Sequence, residues 1–176
     1  YLQRLIAAGI RVAVCEQTED PAEARKRGGK SVVRRDVVRL VTPGTITEEM
    51  LLDPSRSNWL AAVARVRAEG GGWAYGLAAV DISTGAFTVA DVPDGLLGAE
   101  IARLAAREVI VPDAVLDAPT LKAVWRDTRA ALTPLARDGL DAASGERRLC
   151  AFFGVGPLDG FGTFGTAGIS AAAAVV

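Results

Sequence analysis

Two carboxylates in this chain lie where metal-dependent catalysis would need them, each at the end of a β-type run. These are Asp81 and Asp113. Such acids hold two Mg²⁺ ions in phosphodiester-cleaving enzymes when further carboxylates join them. Only Glu100 and Glu108 are available for that role, so a nuclease that uses Asp81 is an alternative hypothesis. The simpler interpretation is that Asp81 caps a Ser83-Thr84-Gly85 turn through local hydrogen bonds.

A basic loop is the second candidate for chemistry, and its partner would be an anion. Six cations fall within eleven residues: Arg25, Lys26, Arg27, Lys30, Arg34 and Arg35. The guanidinium fork of arginine matches phosphate oxygens, so this loop could contact a nucleic-acid backbone. No aromatic residue is interleaved with the cations, so stacking on bases is not expected. An ordinary solvated surface loop would have the same composition.

The segment Gly28-Gly29-Lys30-Ser31 resembles the end of a phosphate-binding loop. The full pattern requires a glycine where Ala24 stands, and it must follow a buried strand and open a helix. Here it follows a predicted short helix and precedes more basic residues. We therefore predict no ATP site in this loop.

The overall composition excludes several other chemistries. The 176 residues include no histidine, which rules out a Ser-His-Asp triad and a zinc site with histidine ligands. The two cysteines, Cys15 and Cys150, lie far apart, and the apolar neighbours of Cys15 predict that it is buried. A net charge of −1 leaves nucleic-acid binding to a local patch. No apolar run approaches the ~20 residues that cross a bilayer, so we predict a cytoplasmic protein without a membrane partner.

The elements that would position the basic loop form a small α/β unit. Helical spacing, alternation and turn residues predict, in order, a helix from Leu2 that ends at Gly9, a strand over 10–16, a helix over 21–26 after Asp20-Pro21, and a strand Val37–Thr42 that ends at Pro43-Gly44-Thr45. Residues 46–57 have little apolar pattern and are expected to form a linker.

A second unit begins near Asn58, and its elements follow the order β-β-β-α-β-α-β-α. The predicted ranges are strands over 58–68, 73–82 and 86–91, a helix over 95–107 capped by Asp94, a strand over 108–112, a helix over 119–127, a strand over 131–135 and a helix over 141–153. Leu149, Phe152, Phe153, Phe161 and Phe164 are predicted to lie in the core. This order predicts an α/β fold with a mixed sheet flanked by helices, as in ribonuclease-H-like domains.

Several segments together resemble the bacterial MutS family of DNA mismatch-repair proteins. They are Tyr1-Leu2-x-x-Leu5, Val12-Ala13-Val14-Cys15-Glu16-Gln17, Asp20-Pro21, Val37-Val38-Arg39-Leu40-Val41-Thr42-Pro43-Gly44-Thr45-Ile46, Leu51-Leu52, Asn58-x-Leu60-Ala61-Ala62, Asp81-Ile82-Ser83-Thr84-Gly85 and Phe161-Gly162. The first half carries the more specific motifs.

The resemblance implies a division of the chain. Residues 1–45 would be the C-terminal part of the mismatch-recognition domain, and 46–57 a linker. Residues 58–165 would be the connector domain, ribonuclease-H-like in fold but without nuclease activity. Residues 166–176 would begin the core or lever helix. We therefore expect this chain to be a piece of a longer protein.

The resemblance also implies a function for the parent protein. The family forms a homodimeric clamp that binds mispaired duplex DNA and signals through ATP to MutL. Its Phe-x-Glu wedge motif does not occur in this chain, and its phosphate loop belongs to a later domain. This piece would be non-catalytic and hold no cofactor, with ATP and Mg²⁺ bound elsewhere in the parent.

The family's contact with the DNA backbone carries over to Arg35, with Arg34 and Lys30 as neighbours in the loop. A free-standing nucleic-acid-binding module that uses the loop from Arg25 to Arg35 is a further alternative.

Overall fold

The computed structural model describes residues 1–29, 31–136 and 142–176. They form two compact units, Tyr1–Pro43 and Gly44–Val176, and each is described by itself. Two of the predictions made from the sequence concern residues that lie outside these ranges. They are the site residue Lys30 and residue 141, the predicted start of the helix over 141–153.

The first unit is built on a two-stranded antiparallel ribbon. Its elements are α1 (Leu2–Ala7), β1 (Val12–Gln17), α2 (Pro21–Lys26) and β2 (Arg35–Val41). Gly9 follows α1 with a φ of +76°, a conformation that glycine adopts without strain and that ends a helix. The carboxylate of Asp20 accepts a hydrogen bond of 2.8 Å from the backbone N–H of Ala22, and so caps α2 as predicted.

Cys15 is exposed, so the prediction that it is buried was wrong. The register of the ribbon shifts between Val14 and Cys15. The apolar residues Val37 and Leu40 of the partner strand are also about 60% exposed (61% and 60%). A ribbon of two strands has too little surface to enclose a core, so apolar side chains on it stay accessible.

The second unit contains a five-stranded mixed sheet with the order β5-β4-β3-β6-β7. The strands are β3 (Trp59–Arg67), β4 (Trp73–Asp81), β5 (Ala86–Val92), β6 (Glu108–Pro112) and β7 (Ala131–Leu135). The first three pair antiparallel, whereas β3 with β6 and β6 with β7 pair parallel. Gly71 and Gly72 have φ angles of +83° and +80° in the β3–β4 turn. The predicted mixed sheet is confirmed.

Helices cover both faces of this sheet. They are α3 (Leu97–Leu104), α4 (Asp113–Leu116), α5 (Lys122–Asp127), α6 (Ala142–Phe153) and α7 (Thr166–Ala174). One core cluster joins α3, α4 and α5 to large sheet residues such as Val63, Tyr75 and Leu77. The other joins α6 and α7 to small ones, such as Ala64 and Ala78. Successive residues of a strand face opposite sides, so neighbouring positions serve different layers.

Helix α7 lies unusually close to β4. A Cβ atom on Gly76 would be 2.0 Å from the carbonyl oxygen of Ala167, so only glycine fits there. The carboxylate of Asp91 on β5 accepts hydrogen bonds from the backbone N–H groups of Gly165 (2.7 Å) and Gly168 (3.0 Å). It thereby satisfies donors at the start of the helix that have no partner within it. Helix α7 therefore belongs to the compact second unit.

Some local predictions for the second unit were wrong. Leu96 precedes α3 and no side chain caps that helix, so Asp94 is not its cap. The helix also ends early, since Ala105 adopts a φ of +51°. Phe152 and Phe161 are 64% and 58% exposed rather than in the core. The buried side of α6 runs through Gly145 and Leu149, and the phenylalanines lie at its edge.

Phe153 is also more exposed than predicted, with 37% of its surface accessible. Its ring contacts those of Phe87, Phe152 and Phe161, with centroids 5.0–5.6 Å apart. The rings of Phe87, Phe153 and Phe161 border an open cavity of about 560 Å³ between β5, α6 and α7. Phe164, also predicted in the core, lines the same cavity. The sequence predicted that these aromatic residues lie in a closed core. Their apolar character alone does not show that the packed layer of helices leaves this edge of the sheet open.

We predict that Gly76→Ala lowers the free energy of unfolding by about 1–3 kcal/mol, because the new methyl group must displace the backbone of α7. Urea denaturation followed by circular dichroism measures the effect. Gly70→Ala is the matched control, since nothing lies within 4 Å of a Cβ atom at that position. Equal denaturation midpoints for the two variants would contradict the packing described.

Candidate nucleic-acid interface

The end of the β1–β2 ribbon presents Arg34 and Arg35 to solvent. Arg35 begins β2 and pairs with Gln17, the last residue of β1. The carbonyl of Arg34 accepts a hydrogen bond of 3.1 Å from the N–H of Thr18. The Arg34 N–H donates to the carboxylate of Glu19 at 3.0 Å. The backbone that carries both arginines is therefore held in place, while their side chains are exposed.

The cations of the loop divide into neutralised and available charges. Lys26 pairs with Glu23 at 2.5 Å, and Arg27 pairs with Glu19. Within residues 1–29 and 31–43, Arg34 and Arg35 make no ion pair. An exposed cation without an acidic partner attracts an external anion more strongly than one whose charge is offset locally.

Asp36 follows Arg35 directly but does not neutralise it. Its carboxylate accepts a hydrogen bond of 2.9 Å from the hydroxyl of Thr18. Adjacent residues of a strand also point to opposite faces, which separates the Asp36 carboxylate from the Arg35 guanidinium. The two charges therefore act on different sides of the ribbon.

The structure lacks the surroundings that a phosphate-binding loop requires. Residues 27–29 follow α2 rather than a buried strand, and the next regular element after residue 31 is strand β2 rather than a helix. The described residues of this loop, 27–29 and 31–34, therefore do not lead into a helix whose N-terminal N–H groups would converge on a phosphate chain. The geometry thus favours single phosphate contacts by arginine side chains.

Asp81 is buried, with 1% of its surface accessible, and it organises the β4–β5 turn. One carboxylate oxygen accepts the N–H of Asn58 at 3.0 Å. The other accepts the N–H (3.0 Å) and hydroxyl (2.6 Å) of Ser83. Burial raises the pKa of Asp81, but the hydrogen bonds from Ser83, Asn58 and Thr84 outweigh it and leave the pKa below its ordinary value. Its oxygens are engaged, as the capping interpretation predicted.

The acids proposed to join Asp81 lie apart or are engaged elsewhere. Asp81 pairs with Trp59 beside the start of β6, whereas Asp113 follows the far end of β6. The five residues of β6 make four steps along the strand, which separate its ends by about 13 Å. Glu100 pairs with Arg103. Glu108 binds the N–H of Gly44 (3.0 Å) and the hydroxyl of Thr133 (2.6 Å). Asp81 and Asp113 therefore cannot share one metal ion.

Two further features were sought among the described residues: a cluster of metal ligands and a helix that could span a membrane. Within the ranges that the structure covers, no three acidic, cysteine or histidine side chains converge as metal ligands would. Among the same residues, no helix combines the length and the apolar composition needed to cross a bilayer.

One charged cluster was missed from the sequence. The side chains of Arg65 and Arg67 both contact the ring of Trp73. The tryptophans are widely separated in sequence, which concealed this arrangement. The signal that could have revealed it is the run of three glycines after Glu69, which predicts a tight hairpin and so places residues 67 and 73 opposite each other.

We predict that Asp81→Asn lowers the free energy of unfolding at neutral pH by about 1–3 kcal/mol, because the new amide group turns a donor toward other donors. The difference from wild type should shrink as pH falls. A carboxylate with a lowered folded-state pKa stabilises the fold above its unfolded-state pKa and loses this effect as pH falls through the folded-state value. Urea denaturation from neutral pH to about pH 3 measures this. Asp94→Asn is the exposed control, and a pH-independent difference would refute the assignment.

Comparison with known proteins places these features in a family. The model of MutS domain I matches residues 1–50, and that of MutS domain II matches residues 58–176. The proteins named DNA mismatch repair protein MutS from Azorhizobium caulinodans and Rhizobium meliloti are each 55% identical over the whole of this chain. The chain spans 19% of each of these relatives. It therefore belongs to the MutS family of DNA mismatch repair proteins.

Proposed function

We propose that this chain is a non-catalytic part of a DNA mismatch sensor whose first unit contacts the DNA backbone through Arg34 and Arg35. The observation that carries the proposal is the exposure of these two guanidinium groups on a fixed backbone, with no acidic partner among the described residues. Family membership supports DNA as the anion. Lys30 is proposed as a third contact on the basis of sequence alone.

The proposed contact is electrostatic and independent of base sequence. Arginine binds phosphate oxygens by charge and by its planar donor fork, and it carries no information about bases in that role. Each neutralised phosphate releases counterions, so affinity should fall steeply as salt rises. The first unit would therefore position the duplex without selecting its sequence.

We propose that the second unit transmits conformational change rather than performing chemistry. Its sheet is packed by helices on both faces, and its buried acids bind backbone N–H and hydroxyl groups. Such a block can move as one body, which suits a connector between a DNA-reading end and an ATPase. ATP, Mg²⁺, MutL and the homodimer are proposed for the parent protein, in the cytoplasm.

The proposed division of the chain keeps the ranges predicted from sequence. These are 1–45 for part of the mismatch-recognition domain, 46–57 for a linker, 58–165 for the connector and 166–176 for the start of a core or lever helix. The packing of α7 on β4 supports a mechanical link between that last segment and the connector sheet.

We predict that the double variant Arg34→Gln/Arg35→Gln binds a fluorescent DNA duplex several-fold more weakly than wild type at low salt. The slope of log K against log salt should decrease in magnitude by about 1–2, because two phosphate contacts are lost. Fluorescence anisotropy across a salt series measures both quantities. Lys26→Gln is the matched control in the same loop, since that charge is already offset by Glu23. An equal loss in Lys26→Gln would show a general charge effect and contradict a specific contact.

We also predict that the 176-residue chain binds a fully paired duplex and a duplex with a G·T mispair with the same affinity. The family's wedge motif, Phe-x-Glu, does not occur in this sequence, and backbone contacts do not read bases. Competition between the two duplexes in a gel-shift experiment tests this expectation. A clear preference for the mispair would mean that this chain reads bases itself.

A further inference from the structure

A cluster of two arginines and one tryptophan lies at the end of the β3–β4 hairpin. Arg67 is directly opposite Trp73 in the antiparallel register, and Arg65 is two residues before it on β3. These three side chains therefore share one face of the sheet. The Cζ atom of Arg65 is 3.9 Å from the centre of the Trp73 ring, and that of Arg67 is 3.8 Å from it. Both guanidinium groups make cation–π contacts.

The two guanidinium groups retain most of their capacity to bind an anion. Arg65 donates one hydrogen bond of 2.9 Å to the carbonyl of Ala114, which leaves four of its five donors for a ligand. Arg67 is exposed, and its side chain makes no hydrogen bond to a described residue. Two positive charges are thus held close together with a defined orientation.

No described acid neutralises this pair. Glu69 is the acidic residue nearest to the pair along the chain, and Asp113 adjoins Ala114, whose carbonyl binds Arg65. Both acids are exposed, and neither makes an ion pair with either arginine. Elsewhere in the same unit, Arg103 pairs with Glu100 at 2.8 Å and Arg126 with Asp127 at 2.8 Å. The Arg65–Arg67 pair is therefore a local excess of positive charge in a chain whose net charge is −1.

We propose that Arg65 and Arg67, oriented by Trp73, form a second contact site for DNA backbone phosphates. The contact of Trp73 with two guanidinium groups competes with base stacking, so the site would bind backbone rather than bases. Side chains already held by the ring lose less freedom on binding, and their forks match phosphate oxygens. The choice of DNA as the anion rests on the proposed function, whereas the site consists of different residues.

The surroundings of the cluster favour a polyanion over a protein partner. Specific protein interfaces are anchored by large apolar or aromatic side chains at their centre. In the described residues 59–81 and 108–121, no large apolar side chain is exposed; Trp73 itself is half-buried under the arginines. The turn beside the cluster consists of Gly70, Gly71 and Gly72. A site of cations without an apolar anchor suits phosphate contacts.

The test measures binding of the 176-residue chain to a fluorescent DNA duplex by anisotropy across a salt series. We expect Arg65→Gln/Arg67→Gln to weaken binding several-fold at low salt and to reduce the magnitude of the salt slope by about 1–2. Arg65→Lys/Arg67→Lys should keep the slope but bind more weakly, because lysine loses the planar contact with the ring and the donor fork. Arg126→Gln, which removes an already paired charge, is the control and should bind as wild type does.

Combining this variant with Arg34→Gln/Arg35→Gln separates the two proposed sites. A loss in only one of the double variants supports that site and refutes the other. Additive losses in the fourfold variant support both. If Arg65→Gln/Arg67→Gln alters the circular dichroism spectrum, Arg67→Gln alone replaces it, since that side chain makes no described hydrogen bond.

An affinity and salt slope for Arg65→Gln/Arg67→Gln that equal those of the wild type would overturn the inference. If the same variant also loses binding to a poly-glutamate peptide, the cluster is assigned to an acidic protein segment instead.

Discussion

The close approach of α7 to the sheet is the constraint on which the second unit depends. Gly76 leaves no room for a side chain between β4 and the carbonyl of Ala167. The same face carries alanines such as Ala64 and Ala78, and α7 contributes Ala171, Ala172 and Ala173. Small residues on both partners let the two backbones approach closely. Dispersion contacts between backbone atoms then fill the space that larger side chains would occupy at a wider separation. The opposite face uses Tyr75, Leu77 and other large residues to reach its helices.

Buried carboxylates stabilise the edges of this packed block. Asp81 holds the start of β3 and the β4–β5 turn, while Glu108 joins Gly44 to β7 through Thr133. A buried charge is costly unless donors surround it, and each of these groups has at least two. Acids at strand ends resemble catalytic groups in a sequence, yet here their oxygens bind the protein's own backbone and hydroxyl groups.

The first unit distributes its charge differently. Its two-stranded ribbon leaves apolar and charged side chains exposed alike, so the positive charge that an external anion would meet depends on which cations have an acidic partner. Glu19 and Glu23 pair with Arg27 and Lys26, whereas Arg34 and Arg35 stay available. A net charge of −1 therefore conceals local clusters of positive charge, of which the Arg65–Arg67 pair on Trp73 is a second example.

The sequence alone determined most elements and their order, because helix and strand periods, Gly9, Asp20-Pro21 and the glycines after Glu69 act locally along the chain. The seven strands and the mixed sheet followed from these signals, as did the position of Arg35 at the mouth of a strand. The burial of a side chain depends on segments that are distant in sequence. The sequence therefore predicted buried positions for Cys15, Phe152 and Phe153, whereas the structure leaves all three exposed. Only the tertiary structure decided that Asp81 and Asp113 lie at opposite ends of β6. It also decided which arginines form ion pairs and that Arg65 and Arg67 both contact the ring of Trp73. Strand register and packing create those juxtapositions, and no local pattern carries that information.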